Sequence, residues 1–318
     1  MALLSGVHDQ LQPLRAWLFP RRVLLQLEDQ AITAMVLEDA TVTWAERVPL
    51  PTGLCDGGLP RRPDALGDLI GDLLVERGFA GAGVAAVLAP TAAQVRLVHW
   101  AGQELPVDPE LLLLRHQRSL RLGAPWYDLD LHRLDFSGDS PTSLVVSVRS
   151  ALLESWIEVF SLAALRLDRI EASQICLCRA LRSLLRDAAS APGLIFLLQQ
   201  ERWGARLLVL EAGLPVFERS LGLAQDSATL QAELERCRAF LRQTRPQQSA
   251  PPLLLLHGAA IAAEPQAAAL AAALGWPCER LDLFARGWLL KAAAAAQDPL
   301  GGGALLALWG LAMAEVPA

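Results

Sequence analysis

The sequence predicts an α/β protein of two lobes, each built on one strand-strand-strand-helix-strand unit, with an α+β subdomain inserted in the first lobe. Three observations carry that expectation. At 318 residues the chain exceeds the roughly 250–300 residues at which a single hydrophobic core stops growing. Residues 23–50 and 195–222 read as two copies of one three-stranded meander, each followed by a helix and a short apolar strand. Between about 95 and 172 the texture changes to a compact mixture of strands and helices.

Taken in order, residues 8–22 (HDQLQPLRAWLFPRR) set Leu11, Leu14 and Leu18 on one helical face. Such a helix lies either on the protein's own surface or in the interface of an anionic membrane. Residues 23–27, 32–37 and 42–48 are strands joined by short turns, the second being Glu38-Asp39-Ala40. Pro63-Asp64 opens a helix with Leu66, Leu69, Ile70, Leu73 and Leu74 at 3.6-residue spacing, stopped at Gly78. Residues 84–88 form a wholly apolar strand of the kind buried on both faces. The insert then runs as a strand at 95–100, a helix opened by Asp108-Pro109, strands at 127–136 and 142–149, a helix at 150–165 and a strand near 167–171. A helix at 174–189 returns the chain to the second meander at 194–221. Next comes a helix over about 227–243, with Leu230, Leu234, Cys237 and Leu241 on one stripe. After the linker RPQQSAPP (245–252), a buried strand (253–256), alanine-rich helices and an apolar helix over 304–315 close the chain.

Composition removes several chemistries. Lysine occurs once, as Lys291 after Leu290 in WLLKAAAAA. P-loops, Schiff-base enzymes and protein kinases each need a placed lysine, and this one has no suitable setting. The net charge is −6, and the only basic pairs are Arg21-Arg22 and Arg61-Arg62. No cluster exists for nucleic-acid binding by counterion release. The five cysteines include Cys176-x-Cys178, which lacks the spacer of zinc and redox motifs, so they read as buried, reduced thiols. Five scattered histidines give no ligand spacing, so no metal site is expected. The longest apolar run, 304–314, is about half a membrane span, and the N-terminal residues show neither the charged n-region nor the cleavage pattern expected of a signal peptide. Nine tryptophans and 53% hydrophobic residues suggest a protein that works against a partner. Asp128-Leu129-Asp130 spells the Asp-x-Asp of metal-dependent sugar transferases, but on an alternating strand it reads as a solvated face. His257-Gly258 would suit an oxyanion loop, yet no G-x-S-x-G elbow accompanies it.

The repeat organises the rest. Slid by 172 positions without a gap, VLLQLEDQAITAMVLEDATVTWAERVPL lies over IFLLQQERWGARLLVLEAGLPVFERSLG, placing Ala40 on Ala212 and Glu46-Arg47 on Glu218-Arg219. A duplicated unit of this layout is that of the actin-like (duplicated ribonuclease-H-like) fold, whose first hairpins face each other across a nucleotide cleft. The chain resembles the PilM family, the cytoplasmic actin-like component of type IV pilus assembly, with its divergent HofM-type relatives. The resemblance covers nearly the whole chain. VLLQLEDQAITAMVL sits on the family's strand, phosphate hairpin and second strand; LLLLHGAA (253–260) sits on its apolar strand ending in paired glycines; GGGALLALWGLAMA resembles its closing helix. The implied division is a first lobe over 1–94, completed by about 173–192 and the terminal helix 304–318, an insert subdomain over 95–172, and a second lobe over 193–303.

Against that family the nucleotide site is degenerate. Actin-like ATPases need an aspartate that holds Mg²⁺ through water, then a glycine and a Ser/Thr whose amides approach the phosphates. Here Gln26 falls on the aspartate, Glu28 on the glycine, Asp29 and Gln30 on the hydroxyl residues, and Thr33 on the family's lysine. The second hairpin, Leu198-Gln199-Gln200-Glu201, carries no Asp-x-Gly, and at the adenine strand one glycine survives as Gly258 beside His257. A carboxylate beside a phosphate costs on the order of 1–4 kcal/mol. No ATP hydrolysis, no cofactor and little or no MgATP binding are therefore expected.

The resemblance implies a cytoplasmic adaptor held at the inner membrane by its partners, in systems serving twitching motility and natural competence. Its partner would be the N-terminal tail of a PilN-like bitopic membrane protein, with other pilus assembly components around it. The tail would lie in a groove between the first subdomain and the insert, with Leu97, Trp100 and Trp156 as candidate contacts. Two rivals stand beside this reading. One is an active actin-like ATPase or phosphotransferase, which would need aspartates in the two hairpins. The other is a GspL-like cytoplasmic domain of type II secretion, which normally continues into a transmembrane helix, whereas this chain ends at Ala318.

Overall fold

A nearly continuous apolar run serves as a strand only where both of its faces are covered, and Val23 to Leu27, broken only by Gln26, is such a run. The computed structural model describes residues 22–38, 40–99, 111, 114, 127–134, 142–187, 193–201, 204–222, 227–244, 251–258, 264–292 and 302–315. In it β1 (Arg22–Leu27) pairs antiparallel with β2 (Ala31–Glu38), which pairs with β3 (Thr41–Pro49). A two-residue Gly57-Gly58 turn, both at positive φ, joins the short strands β4 (Cys55–Asp56) and β5 (Leu59–Pro60). After α1 (Pro63–Glu76), β6 (Gly83–Leu88) adds parallel to β1 and is buried at every residue.

Next, β7 (Ala93–His99), β8 (Tyr127–Leu134) and β9 (Thr142–Arg149) form a separate sheet in the order β7-β9-β8. α2 (Ser150–Leu162) follows, and β10 (Arg166–Ala172) then joins β6 in parallel. α3 (Ser173–Asp187) leads to β11 (Leu194–Glu201), β12 (Gly204–Glu211) and β13 (Leu214–Gly222). With α4 (Ser227–Thr244), β14 (Leu253–His257), α5 (Glu264–Leu274) and β15 (Cys278–Arg280), these build a second sheet in the order β13-β12-β11-β14-β15. The chain finally returns to the first sheet, where β16 (Leu290–Lys291) pairs with β3, and ends in α6 (Leu306–Ala312).

Three buried clusters result. Outside the first sheet, Leu66, Ile70 and Leu74 of α1 and Leu152, Trp156, Val159 and Phe160 of α2 cover Val23, Leu25 and Leu27. Outside the second, Leu230, Leu234, Cys237 and Leu241 of α4 cover Phe196, Leu198 and Val209. Between the sheets one cluster joins both lobes: Leu24, Met35 and Val87 from the first, Ile195, Leu197 and Leu208 from the second, with α3 and α6.

Three expectations need correction. The insert does not extend to 172: α2 fills the first lobe's core and β10 is a strand of its main sheet, leaving the three-stranded β7–β9 sheet as the inserted unit. Amphipathic periodicity showed that these segments bury a face without showing against what. Residues 290–291, assigned to the second lobe, pair with the first lobe's β3. The repeat, finally, is offset by 173 positions rather than 172. A β-bulge interrupts β2–β3 between Val36 and Leu37 and recurs in β12–β13 between Val209 and Leu210. This register puts Leu24 with Leu197, Gln26 with Gln199, Glu28 with Glu201 and Glu38 with Glu211. It also sends Leu24 and Leu197 together into the inter-lobe cluster, whereas a slip of one would turn Leu24's counterpart to the opposite face.

Two backbone positions invert the usual residue choice. α1 ends with Gly78 left-handed, its amide on the Val75 carbonyl at 3.0 Å and the Phe79 amide on the Leu74 carbonyl at 2.7 Å. α2 ends the same way, with Ala164 bonding Ser161 at 3.0 Å and Leu165 bonding Phe160 at 2.9 Å, but Ala164 sits at φ 54°. At Gly310, by contrast, α6 presses on α3 so closely that a Cβ would run into the Cys176 carbonyl. Opposite swaps should therefore have opposite effects. Ala164→Gly is expected to raise unfolding free energy by about 1 kcal/mol. Gly310→Ala should lower it by about 1–3 kcal/mol through overpacking. Both are read from urea unfolding midpoints, and a Gly310→Ala protein as stable as its parent would refute the close approach.

Candidate functional site

The two hairpins face each other across a cleft of about 300 Å³, lined by Glu28, Asp29 and Gln30, by Ala89, Pro90 and Thr91, and by Gln199, Gly204, Ala205, Arg206 and Ser220 from the second lobe. Alternation along β1 aims Gln26 at the same side as Leu24, inward, and Gln26 is buried. Its Nε2 donates to Glu28 Oε1 at 3.1 Å; Arg47 Nη2 donates to Glu28 Oε2 at 2.8 Å, and Arg47 Nη1 to Thr33 Oγ1 at 3.3 Å. Gln26, Glu28 and Thr33, three of the positions read as degenerate, thus belong to one network closed by Arg47. Sequence reasoning had used Arg47 only as a repeat marker. The register that sets Thr33 opposite Arg47 brings it there.

Asp29 points elsewhere. Its carboxylate accepts the backbone amides of Gly57 at 3.1 Å and Gly58 at 2.7 Å. Successive amides of a positive-φ turn make an anion-binding concavity, and here the chain's own aspartate occupies it. The carbonyl of Gly58 accepts Trp156 Nε1 at 2.9 Å. Asp29 and Trp156, expected in two different sites, meet on one turn. Trp156 is 1% exposed, so it is a core residue and not a wall of any groove. Its spacing with Leu152, Val159 and Phe160 was the available signal. Nearby, burial first and the Asp29 carboxylate second push the Cys55 thiol up to about 12, so it stays protonated. All five cysteines are free thiols, four of them buried.

On the opposite wall Gln199 lies between Arg206 of β12 and His257 of β14 in register. Arg206 pairs with Glu218 at 2.6 Å. His257 is buried, and Gly258 at φ 114° lets the end of β14 approach Gln200, whose carbonyl a Cβ would strike. Gln30 is exposed, and its carbonyl holds the Leu50 amide at 2.9 Å. Glu28, Asp29, Gln30 and Gln199 thus line the cleft, where Glu28 is held by Gln26 and Arg47 and Asp29 by the Gly57-Gly58 turn.

A second groove, of about 480 Å³, lies between β7 and β13. Leu97 lines it with Val95, Val216 and Phe217, and Gln174 and Glu218 stand in its wall. This corrects the expected placement: Leu97 faces a groove shared by the insert and the second lobe, rather than one between the first subdomain and the insert. Trp100 lies outside the described residues. Asp128 and Asp130 lie on β8, opposite Val148 and Val146. Among the described residues no helix is long and apolar enough to cross a membrane.

No family model and no curated protein matches this sequence. Solved structures do. The chain is similar to one in a PilM–PilN type IV pilus biogenesis complex, at 18% identity and a TM-score of 0.72, covering 93% of this chain and 99% of that one. It is more distantly similar to the cytoplasmic domain of EpsL, an inner-membrane component of the type II secretion system of Vibrio cholerae. That match has 12% identity, a TM-score of 0.47, and 93% and 96% coverage. A Bacteroides thetaiotaomicron protein with an actin-like ATPase fold matches at 8% identity, a TM-score of 0.49, and 82% and 90% coverage. The chain has the actin-like fold expected from the sequence, with its duplicated lobes on either side of the cleft.

The shared turn has a measurable signature. Trp156→Phe strands the buried Gly58 carbonyl and Asp29→Ala strands two amides, so each should cost about 1–3 kcal/mol in chemical unfolding. Because both hold the same turn, the double variant should lose less than the sum of the two losses. Strict additivity would show that they act separately.

Proposed function

We propose that this protein is a non-catalytic adaptor that binds an extended cytoplasmic tail of a PilN-like bitopic membrane protein in an inner-membrane pilus assembly complex. One observation carries the reading: the likeness in fold, over nearly all of both chains, to a protein solved in complex with PilN. The groove beside Leu97 suits an extended segment, since it offers apolar side chains between two edge strands, β7 and β13. Recognition of extended peptides draws affinity from main-chain hydrogen bonds and specificity from side-chain pockets. The protein would then sit at the cytoplasmic face through its partner.

The absence of catalysis belongs to the same proposal. Hard cations such as Mg²⁺ seek anionic oxygen, and the paired positions on the two inner strands carry the neutral amides Gln26 and Gln199. The carboxylates that are present, Glu28 and Asp29, hold Arg47 and the Gly57-Gly58 turn. An incoming triphosphate would have to displace those contacts and meet their charge.

Calorimetric titration with a PilN-type tail peptide tests the adaptor role. Saturable one-to-one binding, weakened about tenfold or more by Leu97→Ala, is the expected result; silence at high peptide concentration would remove the assigned function. Titration with MgATP should show no saturation in the low-micromolar range, and measured turnover would restore the enzyme reading.

A further inference from the structure

Gln174 is the second residue of α3, where the chain passes from β10 into the helix packed between the lobes, and it is 1% exposed. Its Nε2 lies 3.1 Å from the Pro90 carbonyl and 3.4 Å from that of Ala93, both in the first lobe. The same nitrogen lies 3.0 and 3.2 Å from the two carboxylate oxygens of Glu218 on β13, in the second lobe. An amide nitrogen carries two hydrogens, so one serves the Pro90 and Ala93 carbonyls and the other the carboxylate. The opposite orientation of the amide would set its oxygen against a carboxylate and two carbonyls, which fixes the assignment. Ser173 Oγ donates to the remaining Oε1 at 3.4 Å. Glu218 in turn holds Arg206 of β12 at 2.6 Å.

The place of these groups matters as much as their bonds. Pro90 and Arg206 line the cleft, while Gln174 and Glu218 line the groove beside Leu97. The groove has one wall on β7, carried by the first lobe's insert, and one on β13, carried by the second lobe. A rotation of the lobes about α3 would separate those walls and break the contact between Gln174 and Glu218 at the same time.

We propose that Gln174 is an inter-lobe latch that sets the angle between the lobes and, through it, the width of the β7–β13 groove. A buried, oriented amide suits this task. It bonds polar groups of both lobes without bringing a charge of its own into the interface, and it adds a second donor to a part-buried carboxylate that Arg206 already holds. The consequence for tail affinity rests on the adaptor reading; the latch itself does not.

The test measures the lobe angle directly. Spin labels at Asp72→Cys on α1 and Gln243→Cys on α4, both exposed positions, are placed in a Cys278→Ser background, since Cys278 is the one native thiol that is not buried. Electron-electron distance measurement should give one narrow distribution for the parent and a broader or longer one for Gln174→Leu. Should Gln174→Leu fail to fold, Glu218→Ala is expected to give the same broadening, while Glu218→Gln, which keeps an acceptor oxygen, should preserve the parent distance. Superimposable distributions for the parent, Gln174→Leu and Glu218→Ala would overturn the latch. Tail-peptide affinity is then compared, with a loss of about tenfold expected for Gln174→Leu. Broadened distances with unchanged affinity would overturn the coupling to the groove. Broadened distances with no peptide binding even by the parent would uphold the latch and defeat the adaptor reading instead.

Discussion

The layer buried between the two sheets is the constraint on which the rest of this structure depends. Each sheet must turn the same set of residues inward, and α3 and α6 must fit into the remaining space. The fit is tight enough that α6 approaches the Cys176 carbonyl through a glycine and accepts Arg179 Nη1 on the Gly310 carbonyl at 2.8 Å. Leu24 and Leu197, Met35 and Leu208, and Leu37 and Leu210 meet here as matched pairs of the duplication. A slip of one residue in either meander would turn an apolar set out of this layer and into the wrong core. The bulges after Val36 and Val209 are therefore features of register, and they recur because the two lobes solve one packing problem twice.

That layer also leaves the cleft rim outside the packing that fixes the fold. The cleft rim lies at the ends of β1 and β11, beyond the shared core, and its polar groups answer only to local satisfaction. Glu28 with Arg47 and Arg206 with Glu218 are part-buried ion pairs, each completed by an amide, from Gln26 in one case and Gln174 in the other. Isolated, such charges would be costly to bury; paired and hydrogen-bonded, they are tolerated. Asp29 goes further by filling the amide concavity of the Gly57-Gly58 turn. It thereby ties the hairpin to Trp156 and the outer core.

How much of this was legible in the sequence follows from the kind of signal each feature leaves. The meanders, α1 and the apolar strand β6 announced themselves by periodicity and turn residues. The repeat was visible, but its register was not: Leu24-Leu25 and Leu197-Leu198 are apolar on both faces, so no alternation says which leucine looks inward. The turn residues Ala40 and Ala212, both left-handed, drew the alignment one position out. Trp156 sat on the apolar stripe of its helix and was readable as core. Arg47, 19 residues from Glu28, and Gln174, 44 residues from Glu218, were not readable, because only strand register and the lobe interface bring those pairs together.

The same logic bears on where a partner could be seated. The inserted sheet ends at β7 and the second lobe's sheet ends at β13, so two edges face one another without pairing among the described residues. Exposed edges invite strand addition from other chains, and proteins usually blunt them. Pro215 removes one donor from β13, which suits an edge strand and would be disruptive in a central one. The width of the groove between these edges is not a property of either sheet, because the walls belong to different lobes. Whatever fixes the lobe angle fixes the width of this groove, and both the buried inter-lobe layer and the Gln174 amide span that interface.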